Sequence, residues 1–293
     1  MNKKQIMKRH FTEIIVLASL FFTSSCSSVP KSGEAQVSSS EVTQAHHEHS
    51  TENPHQEDNS KTTTQAKLTT SKNITPNQPV SLVIDIQDSS GKNINNFDTF
   101  QEKLMHLIVV RDDLQSFDHI HPTYKGNGRF EVNATFPSVG NYTLISDYKP
   151  SRQNESVSLM KLTIPGSVPL PKNLEKFDNT KIVSNTKVNF KSSEPTIKAG
   201  KEVSLIFDLK DNANNQPIKD LQPYLGEKGH LVIIKSSFPL LVSDYIHAHA
   251  LKNTPDGQVQ FVTNFPQPGT YKIWVQFNRN GKINTADFWV NAS

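Results

Sequence analysis

The chain repeats itself, and an internal duplication with units of about 100 residues fixes its domain organisation before any single motif is weighed. The first copy reads VSLVIDIQD from Val80, MHLIVV around His106, FDHIHP around His119 and FPSVGNYTLI from Phe136. The second reads VSLIFDLKD from Val203, GHLVII around His230, YIHAHA around His247 and FPQPGTYKIWV from Phe265. The offset between copies rises from 123 at Val80 and Val203 to 129 at Phe136 and Phe265, so small loop insertions account for the whole difference.

Each copy is built of short apolar runs punctuated by Gly, Pro, Asn and Asp, with no sustained 3.6-residue period. That pattern predicts an antiparallel β-sandwich of Ig-like or cupredoxin-like type. Val80, Leu82, Ile84 and Ile86 alternate with Ser81, Val83, Asp85 and Gln87, as a strand with one buried face requires. Near the end of each copy Phe-Pro-x-x-Gly-x-Tyr turns the chain into an apolar strand, and Gly140 and Gly269 are expected in a backbone shape that a Cβ would penalise. The chain is therefore read as all-β, with sandwiches over 66–166 and 186–293. Residues 167–185, preceded by Pro165 and containing Pro169 and Pro171, form the linker. An apolar content of 34% suits two modest domains plus unstructured sequence better than one large core.

What precedes the repeats reads as an address and a tether. Lys3, Lys4, Lys8 and Arg9 lead into the apolar stretch Ile14 to Phe22, and Ser24 and Ser25 run into Cys26, the order of a secretory signal over residues 1–25. That stretch is too short to span a bilayer, which takes roughly 20 helical residues. With the one cysteine of the chain at the cleavage point, the segment resembles a bacterial lipoprotein signal, which implies lipidation of Cys26 and attachment to the membrane through that lipid; Thr23 departs from the Leu usual there. Ser27 lacks the retention Asp of that family, which leans towards the outer membrane. Residues 26–65 are rich in Ser, Thr, Gln, Asn and His and cannot bury enough apolar surface to offset ordering entropy, so they are read as a disordered tether. His46, His47, His49 and His55 within it could capture divalent metal weakly, although a purely solvated tether has the same composition.

Composition also removes function classes. The chain has 31 Lys+Arg and 28 Asp+Glu, and removal of residues 1–25 with Lys3, Lys4, Lys8, Arg9 and Glu13 leaves 27 of each sign. A neutral surface without a basic run does not match phosphate-backbone binding, so nucleic acid is not expected as a partner. A single cysteine excludes a disulfide framework, a Cys-ligated zinc or iron–sulfur site and a blue-copper centre.

The chemistry-bearing residues are histidines. Of the 11, His10 lies in the export segment, four in the tether, and the other six form two matching patterns: His106 with His119 and His121, and His230 with His247 and His249. Residues i and i+2 of a strand share a face, so each His-x-His pair points one way. A hairpin turning near Asp112 and Asp113 would set His106 opposite His119, and opposed or diagonal positions lie within imidazole reach. Each sandwich is thus expected to hold its own three-histidine site. Three neutral imidazoles suit zinc or copper, with a fourth position for another ligand. Asp118 and Asp244 are candidate acceptors for fixing the rings, and Met160 is a possible additional soft ligand. The same pattern also fits a hydrogen-bonded structural cluster, because duplication copies structural residues as faithfully as ligands.

At these residues the sequence resembles bacterial envelope proteins with YtkA-like, Ig-like domains. The likeness rests on His106, His119, His121 and Pro122 in the first copy and His230, His247 and His249 in the second, where Ala250 replaces the usual Pro. It covers Lys67 to Gly166 and Lys187 to Ser293, and it implies association with copper or other heavy-metal handling. Three functions follow as expectations. The first is an exported, lipid-anchored metal-binding protein of the cell envelope, on the periplasmic face or outer membrane, working with other envelope metal-handling proteins. The second is a non-metal interaction or scaffold module with structural histidines. A zinc hydrolase is third and is set aside, because neither copy positions a Glu or other base and no His-Glu-x-x-His or Gly-x-Ser-x-Gly motif occurs; the protein is not expected to be an enzyme.

Overall fold

A computed structural model describes residues 63–167, 176–248 and 250–293, all within one compact unit. The export segment, Cys26, the tether histidines His46, His47, His49 and His55, and His249 lie outside the described residues.

The first repeat holds β1 (Thr64–Thr70), β2 (Pro79–Asp88), β3 (Met105–Arg111), β4 (Phe117–Ile120), β5 (Thr123–Gly126), β6 (Arg129–Thr135), β7 (Gly140–Tyr148) and β8 (Ser156–Ile164). They form two antiparallel sheets, ordered β1-β2-β6-β5 and β4-β3-β7-β8. The second repeat holds β9 (Thr180–Val183), β10 (Thr186–Ser192), β11 (Glu202–Asp211), β12 (Leu221–Gln222), β13 (His230–Lys235), β14 (Tyr245–Ala248), β15 (Gln258–Asn264), β16 (Gly269–Arg279) and β17 (Lys282–Ala292). Its sheets run β15-β11-β10-β9 and β14-β13-β16, with β12 and β17 both paired to β16. The fold is all-β, as the alternation in the sequence predicts: Val80, Leu82, Ile84 and Ile86 of β2 are buried. β9 lies inside the segment read as linker, because Thr180–Val183 pairs with the start of β10 and extends the sheet outward.

Gly140 and Gly269 adopt φ of +133° and +146°, the region only glycine enters at low cost, and a Cβ on Gly269 would stand 2.8 Å from Lys235 Cε.

Each repeat closes its own core between its two sheets: Leu82, Ile84, Phe130, Phe136 and Tyr142 in the first, and Leu205, Phe207, Phe261, Phe265 and Phe288 in the second. A third apolar cluster lies between the repeats. Ile108, Val110, Leu114 and Ile145 of the first pack with Val232, Ile234, Leu240, Trp274 and Trp289 of the second. The β4-β3-β7-β8 sheet and the β14-β13-β16-β17 sheet therefore cover one another. β3 and β13 bury both faces, which is why their sequences are unbroken apolar runs after the first histidine.

Candidate metal centre at the inter-sandwich face

In β3, Met105, Leu107 and Val109 turn into the first sandwich while His106, Ile108 and Val110 turn towards the second. β13 repeats this: Leu231 and Ile233 enter its own core, and Val232 and Ile234 face the other repeat. The alternation that closes two sandwiches thus also carries the histidines to the boundary between them.

The hairpin register differs from the expected one by two residues. His119 stands opposite Ile108 rather than His106, and Val232 stands opposite His247 in the matching place. Asp112 and Asp113 do form the turn, with Leu114 N donating to Arg111 O at 2.7 Å, but Leu114 then takes φ +57° and buries its side chain in the inter-repeat cluster, an extra residue that shifts the pairing of β4. Asp113 pairs with Arg111 at 2.7 Å and Asp112 accepts from the Thr143 hydroxyl at 2.6 Å. Two residues is a whole strand period, so His119 keeps its face and reaches His106 diagonally.

His230 and His247 of the second triad do not stand apart from the first. The rings of His119 and His230 lie 4.5 Å apart centre to centre, those of His106 and His230 5.9 Å, and those of His106 and His247 5.6 Å, so both repeats feed one cluster. Only the docking of the repeats brings these rings together, and each repeat read alone lacked that information. Within the cluster, His106, His119 and His121 each offer one ligand atom, all within 4.8 Å of one another. His106 and His119 are buried and His121 is half-buried.

Hydrogen bonds fix which nitrogens carry protons. His106 Nε2 lies 3.2 Å from the Phe100 carbonyl, which can only accept, so Nε2 donates and Nδ1 bears the lone pair. His119 Nδ1 lies 2.7 Å from Gln276 Oε1, while the amide nitrogen of that glutamine donates to Thr285 Oγ1. His119 Nε2 is therefore also a lone pair, and it meets His106 Nδ1 at 3.1 Å. Two lone pairs facing at that distance repel unless a cation stands between them or one ring is protonated. Burial opposes protonation: it is the main cause holding His106 down at about 3, with the neighbouring His247 adding to it, and it pushes His119 well below the usual histidine range. His121 is held at about 4 by burial and then by the charge of Lys103, and its Nε2 is buried without a hydrogen-bond partner.

On the other side, His247 Nδ1 lies 2.9 Å from Asp147 Oδ2, which also accepts from the Tyr245 hydroxyl at 3.1 Å. His247 Nε2 lies 2.7 Å from His230 Nε2 and 2.9 Å from Gln101 Oε1. Gln101 and Glu102 adopt φ of +45° and +64°, a costly conformation for non-glycine residues, in the turn that brings the Phe100 carbonyl and the Gln101 amide to the cluster. Asp147 is 2% exposed, and its Oδ1 has no hydrogen-bond partner.

Several expected partners sit elsewhere. Met160 pairs with Leu144 in the first sandwich's own core, on the face of the sheet away from His106, so strand alternation removes it from the cluster. Asp118 is exposed and bonds the backbone nitrogen of His119 at 2.9 Å, while Asp244 is buried holding Ser237 Oγ and Leu241 N. The acceptors that orient the rings are Asp147 and Gln276, which sequence reasoning missed. Each stands opposite the first histidine of its repeat, at His106 and His230. The available signal was a polar residue late in a largely apolar strand, Asp147 after Leu144-Ile145-Ser146 and Gln276 after Trp274-Val275.

No curated protein matches the chain. Among solved structures it is similar to a Salmonella alpha-2-macroglobulin, at 13% identity with a TM-score of 0.26 over 78% of this chain and 14% of that one. It is also similar to invasin, a bacterial integrin-binding protein, at 9% identity and TM-score 0.24 over 79% of this chain and 40% of that one. A third is the D00-D0 domain of intimin, at 12% identity and TM-score 0.23 over 79% of this chain and all of that one. One family profile matches both repeats, over residues 60–164 and 181–293, and the chain belongs to that family, described as a domain of unknown function (DUF8832).

Proposed function

We propose that the protein binds a copper or zinc ion through this histidine cluster and handles it at the cell envelope. The observation that carries the reading is the 3.1 Å approach of His106 Nδ1 and His119 Nε2, two lone pairs whose opposite ring nitrogens are committed elsewhere. A cation relieves that repulsion, and neutral imidazoles are the donors that zinc and copper favour. The buried carboxylate of Asp147 adds a negative charge beside the cluster, with no Lys or Arg paired to it among the described residues. The lipoprotein-like sequence around Cys26 supports export and lipid anchoring. Tether histidines His46, His47, His49 and His55 would collect ions near the membrane, and the resemblance to YtkA-like domains supports copper handling with other envelope proteins.

One observation favours a structural reading: His119 and His247 already knit the two repeats together through polar contacts to Gln276, Asp147 and Gln101. Metal analysis separates the two. The mature chain, purified without an affinity tag and loaded in turn with Cu²⁺ and Zn²⁺, is expected to retain stoichiometric metal after gel filtration, and His119→Ala to lose it. Equal and negligible metal in both proteins overturns the proposal.

A further inference from the structure

We infer that the two repeats build one metal centre rather than two, with His230 Nδ1 as its fourth ligand, so that a single ion is held across the boundary between the sandwiches. This rests on the metal reading above. It starts from a chain of protons that begins at Asp147. A carboxylate only accepts, so His247 Nδ1 carries the proton of their 2.9 Å bond. In the neutral ring His247 Nε2 is then bare, so the Gln101 amide 2.9 Å away must turn its nitrogen rather than Oε1 towards it, and across 2.7 Å His230 Nε2 donates to it. That leaves His230 Nδ1 as a lone pair. The atom is buried without a hydrogen-bond partner, in a residue only 2% exposed.

An imidazole lone pair with no partner, buried against the rings of His106 and His119, completes among the described residues a four-nitrogen set: His106 Nδ1, His119 Nε2, His121 Nε2 and His230 Nδ1. Rings sharing one ion at about 2.0 Å stand about 5 Å apart at a tetrahedral angle. His230 lies 4.5 Å from His119 and 5.9 Å from His106, while His121 lies 4.6 Å and 5.1 Å from the same two rings. His247 is a positioning residue here. It bonds Asp147 through Nδ1 and meets His230 and Gln101 through Nε2, and its role is to hold His230 in the tautomer whose lone pair is Nδ1.

Divergence between the repeats also points to one ion. The matching positions Asp147 and Gln276 hold a carboxylate and a neutral amide, so the cluster carries one buried negative charge instead of two. A symmetric pair of sites would call for the same acceptor twice.

The test uses the full mature chain and Co²⁺ alone as the probe, because four-coordinate Co²⁺ absorbs strongly in the visible range and six-coordinate Co²⁺ weakly. Expected are one Co²⁺ per chain, intense tetrahedral bands, and an X-ray absorption spectrum fitted by four imidazoles. His230→Ala should weaken binding by more than the roughly 10–100-fold typical of losing an outer partner, and should lose the tetrahedral bands. Added imidazole should restore them, which a variant that merely misfolds would not show. Two Co²⁺ per wild-type chain, three imidazoles in the wild-type spectrum, or unchanged binding in His230→Ala overturns the shared centre and leaves a His106/His119/His121 site standing. A wild-type chain that binds no metal ends both readings.

Discussion

His247 of the second sandwich donates its Nδ1 proton to Asp147 of the first, and the first returns the gesture: His119, the position matching His247, donates to Gln276, the position matching Asp147. Each repeat thus supplies the acceptor that orients the other's ring. The contact is nearly self-complementary, as expected where two copies of one surface meet about a local two-fold, and the apolar residues around it follow the same rule, with Ile108 and Val110 matched by Val232 and Ile234.

Asp147→Asn keeps an oxygen to accept from His247 and Tyr245 but removes the charge. If that charge serves a bound cation, metal affinity falls by about 10–100-fold, while the metal-free protein loses no stability because a buried carboxylate with an unpaired oxygen has been neutralised. Competition titration against a chelator of known affinity and urea unfolding of the metal-free variant measure the two halves separately. Loss of stability with unchanged affinity would assign Asp147 a purely structural role.

The inter-repeat cluster is a hydrophobic core in its own right. Trp274 is 4% exposed and stacks on Phe117 with ring centres 4.7 Å apart at 14°. Trp274→Ala is expected to cost about 3–5 kcal/mol, the usual range for deleting a buried large aromatic ring. Phe238 is 80% exposed, and Phe238→Ser should stay within about 0.5 kcal/mol of wild type. Chemical denaturation checks both, and the contrast between an equally apolar buried and exposed residue is the informative part.

How much of this was legible in the chain depends on the range of the interaction. Alternation in β2, the Phe-Pro-x-x-Gly-x-Tyr turn and the like facing of His119 with His106 are set by neighbours along one strand or across one hairpin, and the sequence displays them. The exact register was not legible, because it turned on Leu114 being drawn into a surface that neither repeat has alone. The meeting of His230 and His247 with the first triad was missed for the same reason. Yet Leu107–Val110 and Leu231–Ile234 are apolar at every position, more than a sandwich with one wet face requires, and that surplus marked both strands as covered on two sides. Met160 has the chemistry of a soft ligand but the wrong strand parity, which puts it beside Leu144 in the core.

Acid should loosen the metal-free protein. His106 and His121 have folded-state values of about 3 and about 4, and burial pushes His119 and His230 the same way. An unfolded histidine titrates near 6.5, so below that pH the unfolded chain takes up protons that the folded chain refuses. Stability present above about pH 6.5 is therefore lost as pH falls towards 4, by at most about 1.4 kcal/mol per pH unit for each histidine. Urea unfolding of the metal-free chain at several pH values between 7.5 and 4.5 measures the slope, and His121→Asn should flatten it by up to one proton. A midpoint that does not move with pH would mean that these rings are accessible to protons in the folded state.

Metal binding should tie the two repeats into one unfolding unit. With ligands on β3 and β13, a bound ion stabilises only the arrangement in which both strands are folded and docked, by about 2.7 kcal/mol at free metal 100 times Kd. Hydrogen exchange resolves where that gain appears. Zn²⁺ is expected to slow exchange at Leu107–Val110 and at Leu231–Ile234 by similar factors, since opening either strand releases the same ion. With His230→Ala the protection should shrink to the first set, because the second strand no longer holds a ligand. Slowing confined to β3 in the wild type would show that the ion belongs to the first sandwich alone and that the second repeat covers it without binding it.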